Sequence, residues 1–559
     1  MKRMKHLSIL LVLVLLLASC GQKTETTKPA TTTTDTDSAK AEGELVPSLT
    51  ILSSLPEANM VNYEMANEVA EELKALGVDV TAQPTDFAVL MDVLYGDANE
   101  HDMYTIGWSG RIERLDPDMF IHSINHSENA KLGGNNTDRY RNEEFDKIAD
   151  AQRSEMDPEK RKELVFEAQR ILAEDVPRVN IYSRNGVQVY DKEKFSGAIA
   201  IPGEGLFNEW TPIQLEPLTE NKTLKVASNI NLNTLNPMGA KTVYEWRNLR
   251  LIYDKLVRIS PDIEPIPATA ESWELVDDTT INVVIKQGLT FHDGEPVTVE
   301  DIKYTYDAFI DNSVEYFMSF LEPIESVEIL DDNTVQFKLK YPTASFVNNT
   351  LTQIPILPKH IWEAKADPKN DTNEFPIGSG PFKFVNFRPG EELVAERFDE
   401  YYNPAKIDGY IFRIFGSPEG VLTALELKEV DMLSFDLVPA HIEIIEKNEG
   451  GKFDHLEVTS VPDIGFFYLG FNIDKAPFNN KAFRIAVAHL VDYDLAVDVH
   501  LNGHGSRGGG GLVINEANAF WHNPEVPIYD EYNPEKAREI LEDAGFTWDS
   551  QGRLHMPAE

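Results

Sequence analysis

Ala268-Thr269-Ala270-Glu271-Ser272-Trp273-Glu274, Ile285-Lys286-Gln287-Gly288, Phe291-His292-Asp293-Gly294-Glu295-Pro296-Val297 and Glu300-Asp301-Ile302 follow one another in the middle of the chain, and their reading decides the fold. Between the first two strings Thr280 to Ile285 is β-branched. Beyond the last, Val335, Phe337 and Leu339 alternate with polar residues after the turn signal Asp331-Asp332-Asn333, so both stretches predict strands. Helical signals lie further out. Met65, Val69, Leu73 and Leu76 recur at helical spacing before Gly77 and the strand-like Val78-Asp79-Val80. Asp157-Pro158 opens a second helix with Leu164, Ala168, Ile171 and Leu172 on one face, and Asn533-Pro534 a third with Ala537, Ile540, Leu541 and Ala544 before Gly545. These stripes read as core. Strands and helices are interspersed rather than segregated, which predicts an α/β chain with more than one lobe.

The 559 residues carry 51 Lys+Arg against 93 Asp+Glu, a formal charge of −42. That length suggests about three or four domain-sized units. A polyanion would meet a repulsive field, so nucleic acid is excluded as a partner. One cysteine permits neither an intrachain disulfide nor a cysteine-based metal cluster.

The chain opens with Lys2, Arg3 and Lys5, then an apolar run from Leu7 to Ala18, too short to span a bilayer stably. The run ends in Leu17-Ala18-Ser19-Cys20-Gly21, which resembles a bacterial lipobox, and Cys20 is the sole cysteine. The expectation is a signal peptide over 1–20, cleavage before Cys20, lipidation of its thiol and anchorage to a membrane. Residues 21–45, rich in Thr and Lys, then read as a disordered tether spanning on the order of 25 to 30 Å.

From Lys222 onward the strings quoted above resemble the family 5 extracellular solute-binding proteins, the oligopeptide, dipeptide and nickel receptors of ABC importers. Leu224-Lys225-Val226-Ala227, Thr234-Leu235-Asn236-Pro237, Tyr253-Asp254-Lys255-Leu256-Val257, Leu357-Pro358-Lys359-His360, Gly378-Ser379-Gly380-Pro381-Phe382, Tyr401-Tyr402-Asn403 and Tyr468-Leu469-Gly470-Phe471-Asn472 stand in the family's order. Leu49 to Val80, Tyr104 to Asp118, Tyr140 to Asp146 and Asp157 to Tyr182 resemble its C-terminal third. The resemblance therefore implies a circular permutation, with the family's end joined to its beginning through Thr219-Glu220-Asn221. It implies a periplasmic-binding-protein-like, type II, three-lobed architecture with a cleft between two main bodies. Lobe I would take 186–256 and 377–463, lobe II 257–376, and lobe III 46–185 with 464–559. One chain holds each segment once, which predicts a monomer rather than a dimer that exchanges halves.

The resemblance places Gly107-Trp108-Ser109-Gly110 at the ligand cleft, where an aromatic plate beside backbone donors suits a peptide or a sugar ring; packing of Trp108 in the core is the other reading. In peptide-binding members an Asp soon after the Gly-Trp pair anchors the ligand's amine. Here Arg111 stands in that place, before Ile112-Glu113-Arg114-Leu115 and Asp116-Pro117-Asp118. A guanidinium repels an ammonium and pairs with carboxylates, either a ligand's or the protein's own. Asn229, Asn231 and Asn233 follow the first strand of the resemblance at the cleft mouth, and Asn472 ends another family string; these complete the ligand-binding candidates. His122 and His126 are four apart, but with no third ligand fixed by the sequence they read as two nearby histidines and not a metal site. Gly503-His504-Gly505-Ser506-Arg507-Gly508 fits G-x-G-x-x-G without the preceding strand, and reads as a mobile loop. Gly378 to Phe382 reads as a tight crossing between lobes.

No catalytic motif and no cofactor motif is recognised. The leading expectation is a lipid-anchored receptor that captures a small solute, an oligopeptide first, and delivers it to an ABC permease. An oligosaccharide or nickel-chelate receptor of the same family is the alternative, and a surface-anchored hydrolase using paired carboxylates the alternative of another class.

Overall fold

The computed structural model describes residues 43–96, 99–111 and 114–558. The signal peptide with Cys20, the tether up to 42 and the pair Ile112-Glu113 lie outside them. The last residues of the expected tether are not free chain. Met556 N donates to Glu44 O, and Leu45 bridges His555.

Twelve strands form one mixed sheet. In chain order they are β1 Leu49–Ser54, β2 Val80–Thr85, β3 Met103–Trp108, β4 Arg178–Asp191, β5 Thr223–Ser228, β6 Phe382–Arg388, β7 Glu392–Arg397, β8 Gly409–Ile414, β9 Met432–Leu433, β10 Leu456–Pro462, β11 Phe466–Phe471 and β12 Gly505–Gly510. Their spatial order is β6-β7-β8-β5-β9-β4-β11-β3-β1-β2, with β10 and β12 also paired to β4. Strand β4 organises the molecule. Its first half pairs with β11 (Phe467↔Tyr182, Gly470↔Arg178) and β12 (Gly505↔Arg184), and its second half with β10 (Pro462↔Asn185, Leu456↔Asp191) and β9 (Met432↔Tyr190). We call the body around the second half lobe I and the body around the first half lobe III. Two runs of backbone cross between them: β4, and β10–β11 through Asp463-Ile464-Gly465.

Lobe III takes its core from both ends of the described chain. Ile51, Met65, Val69, Leu73 and Met103 pack with Leu469, Phe471, Phe483, Val487 and Leu541. The helix Met60–Ala75 links the parallel strands β1 and β2, capped by Asn59, whose side chain accepts from Asn62 N. Its end is fixed by Gly77 at φ +88°, where a Cβ would stand 2.0 Å from Gly552 O. In the helix Pro158–Asp175 the side chain buried beside Ala168 and Leu172 is Val165, while Leu164 is half-exposed, a small correction to the expected stripe.

The expected strands at Thr280–Ile285 and Thr334–Leu339 pair antiparallel within a four-stranded sheet completed by Ala270–Asp277 and Ile324–Ile329. This body, lobe II, shares one core with lobe I, in which Val283 and Phe337 belong to the same cluster as Val226, Trp246 and Tyr410. The crossing at 378–382 is tight. Added Cβ atoms at Gly378 and Gly380 would fall 2.1 and 2.6 Å from Ile252 O and Leu251 O.

The glycine-rich run is a second correction, because residues 505–510 form β12 and not a loop. The glycines let its backbone lie against β4. A Cβ on Gly508 would stand 2.0 Å from Asn180 O.

Candidate functional site: the cleft between lobes I and III

Two neighbouring cavities open where β4 crosses. The larger, about 560 Å³, is walled by Pro56, Asn59 and Tyr182 of lobe III and by Asn229, Phe435 and Pro439 of lobe I. Its volume falls within the range of small-molecule pockets, roughly 300 to 1,000 Å³. The smaller, about 230 Å³, is walled by Ser109 and Arg111 of lobe III, by Gly203, Glu204 and Arg247 of lobe I, and by Asp463 at the crossing. Arg184, Tyr244 and Asp436 face both.

Local rules put these groups there. Strand alternation sends Tyr182 and Arg184 to the same face of β4. The Tyr182 ring stacks on Phe467 at 4.7 Å, and the Arg184 guanidinium sits 5.6 Å from the same ring, in an exposed position. Tyr244 and Arg247 are one turn apart on the helix Val243–Ile252, which a capping box starts: Glu245 N donates to Thr242 Oγ1, and Thr242 N to Glu245 Oε2. The Asp436 Oδ1 accepts from Gln188 Nε2 at 2.9 Å, and Gly186 leaves room beside it. Burial raises the Asp463 carboxyl, and hydrogen bonds from backbone N–H groups, including Gly465 N at 2.8 Å, oppose that shift. Burial also raises the Tyr244 hydroxyl, against the pull of Arg247, Arg184 and Arg111.

The sequence candidates divide. Ser109, Arg111 and Asn229 line the cavities. Gly107 instead makes room for Phe467, whose ring lies 2.4 Å from where a Cβ would be. Trp108 lines neither cavity; it packs against the lobe III core under the Arg114 guanidinium, 5.2 Å from its ring centroid. Asn231 is exposed and borders neither, and Asn233 lies in a separate depression beside residues 369–375. Asn472 is fully buried, donating to Asn99 Oδ1 at 3.0 Å and His101 O at 2.9 Å, a loop tie remote from the cleft. Asp116, the carboxylate closest after Arg111 in the described chain, is turned away into a buried bidentate pair with Arg161 at 2.7 Å. Sequence reasoning missed Arg184, Tyr244, Arg247, Asp436 and Asp463. None of the five carries a local signal: Arg184 stands between Ser183 and Asn185 in a strand of mixed polarity.

His122 and His126 do meet a third group. Their rings stack at 4.4 Å, and their Nε2 atoms lie 3.3 and 3.4 Å from Asp150 Oδ1. Glu128 N donates to His126 Nδ1 at 3.1 Å, so the neutral ring carries its proton on Nε2, facing Asp150. Arg153 Nη1 stands 3.4 Å from His122 Nε2, and burial followed by Arg153 lowers that ring's pKa. One ligand atom each from His122, His126 and Asp150 lies within 4.8 Å of the other two, and His126 Nε2 is buried without a hydrogen-bond partner among the described residues, so these three could hold a cation.

Residues 264–558 match the family described as bacterial extracellular solute-binding proteins, family 5 middle. The chain is similar to the oligopeptide-binding protein AppA of Bacillus subtilis, 29% identical over 306 residues that make up 53% of this chain and 54% of that protein. It is also similar to the dipeptide-binding protein of Escherichia coli, 26% identical over 350 residues, 58% of this chain and 63% of that one. Among solved structures, NikZ of Campylobacter jejuni in complex with Ni(L-His) is 23% identical, with a TM-score of 0.46 over 61% of this chain and 66% of that one. The chain thus spans between about half and two thirds of the length of the relatives it matches. No helix among the described residues is long and apolar enough to cross a membrane. With a match that extends over more than half of its residues, the chain belongs to the family 5 bacterial extracellular solute-binding proteins.

Proposed function

We propose that the protein is an extracytoplasmic receptor that captures a small solute, an oligopeptide first, in the cleft between lobes I and III and passes it to the permease of an ABC importer. The observation that carries this reading is the cavity of about 560 Å³ walled by both lobes, with Asn59 and Tyr182 on one side and Asn229 and Asp436 on the other. Amide, hydroxyl and carboxylate groups set around an apolar wall suit reversible capture. The peptide-binding relatives support the ligand class. Anchorage through lipid on Cys20 belongs to the same proposal and rests on the sequence around that residue.

We further infer that the segment order is circularly permuted and the receptor monomeric. Residues 49–191, which precede the matched span, hydrogen-bond into it: β3 pairs with β11, and β4 lies between β9 and β11. The joint after Pro217 is short, with Thr223 N donating to Asn221 Oδ1 at 3.1 Å.

Native mass spectrometry of freshly purified protein, followed by calorimetry with a mixed peptide library, tests the receptor reading. Saturable binding without turnover is expected; turnover of the bound solute, or no binder in the library, overturns it. A Cys20→Ala chain should leave the membrane, and light scattering on the soluble body should give a single-chain mass.

A further inference from the structure

The cleft holds an electrostatic anomaly. Acidic residues outnumber basic ones 93 to 51, so an arginine has carboxylates in surplus to choose from. Most arginines in the described residues use one: Arg161 pairs with Asp116, Arg178 with Asp138, Arg250 with Glu204 and Arg258 with Glu209. Arg111, Arg184 and Arg247 do not. Among the described residues none of the three has a carboxylate within 4.0 Å, and all three line the same cavity of about 230 Å³. Arg247 is steadied by donating to Ser434 O, and Arg184 by the Phe467 ring, contacts that leave guanidinium N–H groups unspent.

The acids facing them are differently disposed. Glu204 is committed to Arg250 at 2.5 Å, and Asp463 accepts from Gly465 N. Asp436, held by Gln188 through one oxygen, is left with the other. Tyr244 and Asp436 line the same cavity as the three guanidinium groups. Keeping three guanidinium groups together is unfavourable unless an anion joins them, and planar guanidinium matches carboxylate in bidentate geometry.

We propose that the cleft takes a solute with at least two carboxylates, bound by Arg111, Arg184 and Arg247, with Asp436 receiving an ammonium where the solute has one. This rests on the reading of the cleft as the solute site and names the chemistry of its occupant. An acidic di- or tripeptide and a peptide-free polycarboxylate share that chemistry.

Calorimetry with Glu-Glu, Gln-Gln, Lys-Lys and tricarballylate separates the possibilities, on the wild type and on Arg184→Gln, Arg247→Gln and Arg247→Lys chains checked for unaltered thermal unfolding. Glu-Glu is expected to bind at least tenfold more tightly than Gln-Gln, a charge-assisted hydrogen bond being worth roughly a factor of ten or more. Arg184→Gln should remove most of that preference, and Arg247→Lys should keep more of it than Arg247→Gln. Tricarballylate competing with Glu-Glu identifies polycarboxylate as sufficient, and Glu-Glu binding alone identifies the acidic peptide. Gln-Gln or Lys-Lys binding as tightly as Glu-Glu, or a preference untouched in every variant, overturns the proposal. Failure of both acidic probes overturns it as well. If a neutral or basic peptide binds in that case, the receptor reading stands; if no peptide of the mixed library binds, both fall.

Discussion

Lobe II and lobe III are built by opposite routes. All four strands of the lobe II sheet lie between Ala270 and Leu339, each beside a near neighbour in sequence. Lobe III is closed by β11 on β3, pairing Phe466 with Trp108 and Phe471 with Met103 across most of the chain. Short loops close at little entropic cost, whereas distant pairings must be paid for in chain entropy before any contact rewards them. Lobe II can therefore gain stability from its own segment, and lobe III only after the rest of the chain has assembled.

The comparison can be broken first at the buried pair of lobe III. Arg178 Nη2 lies 2.5 Å from Asp138 Oδ2, Tyr104 OH donates to Asp138 Oδ1 at 2.6 Å, and the two charged residues are almost wholly buried. Arg178→Met leaves that carboxylate without its cation and should cost about 3 to 5 kcal/mol. Hydrogen exchange should show lobe III opening while the strands at 280–285 and 334–339 keep their protection. Equal loss in both lobes would mean that they unfold as one unit.

The reciprocal change is Phe337→Ala. Phe337 is fully buried, edge-on to Tyr306 at 4.8 Å and to Phe346 at 5.5 Å. The expected loss is about 3 to 4 kcal/mol, read as a drop in the denaturation midpoint, with β1–β3 exchange unaltered.

Acid sharpens the contrast. Burial lowers His101 in lobe III to about 4, and its Nε2–H donates to Thr137 O at 3.1 Å. The unfolded chain binds that proton near pH 6.5 and the folded chain does not, so stability is full above about pH 6.5 and is lost as pH falls toward 4. The loss from this one residue is roughly 2 to 4 kcal/mol. His292, where lobe II meets the 378–382 crossing, is lowered to about 4 by burial as well and should add to the slope. Denaturant titrations at pH 7 and pH 4.5 check it, and a His101→Gln chain should show a shallower dependence. The smallest effect expected is at the cleft helix, where Thr242→Ala removes half of the capping box and should cost about 1 kcal/mol without moving either lobe's core.

The same contrast explains what could be read from the chain. Lobe II was legible because alternation at Val335, Phe337 and Leu339 and the β-branched run at 280–285 are local signals, and Asp331 accepts from Asn333 N as a turn residue should. The closure of lobe III has no local signal; only the resemblance of residues 49–182 to a distant part of a known family pointed to it. The cleft fared in between. Ser109, Arg111 and Asn229, chosen through their place in that resemblance, line the cleft cavities. Arg184, the helix pair Tyr244 and Arg247, and Asp436 come from three separate parts of the chain whose spacing carries no pattern until β4 crosses between the lobes. Trp108 and Asn472 were chosen for chemistry that packing had already claimed, the first by Arg114 and the core, the second by Asn99 and His101.

The two backbone runs that cross between lobes I and III behave as a two-ply torsion bar. β4 and β10–β11 lie antiparallel and are tied together on either side of the crossing, at Pro462↔Asn185 and at Phe467↔Tyr182, with the ladder interrupted over Asp463 to Phe466 and bulged between Phe467 and Tyr468. Such a ribbon resists stretching and sliding, since either would break hydrogen bonds, but tolerates changes in twist, which varies by tens of degrees between paired strands in ordinary sheets. One lobe can thus turn against the other while every ladder rung stays closed. Carrying a two-state population from one extreme to the other takes roughly 5.5 kcal/mol of differential contact. The solute's own contacts with the two walls would then set how the bar is wound.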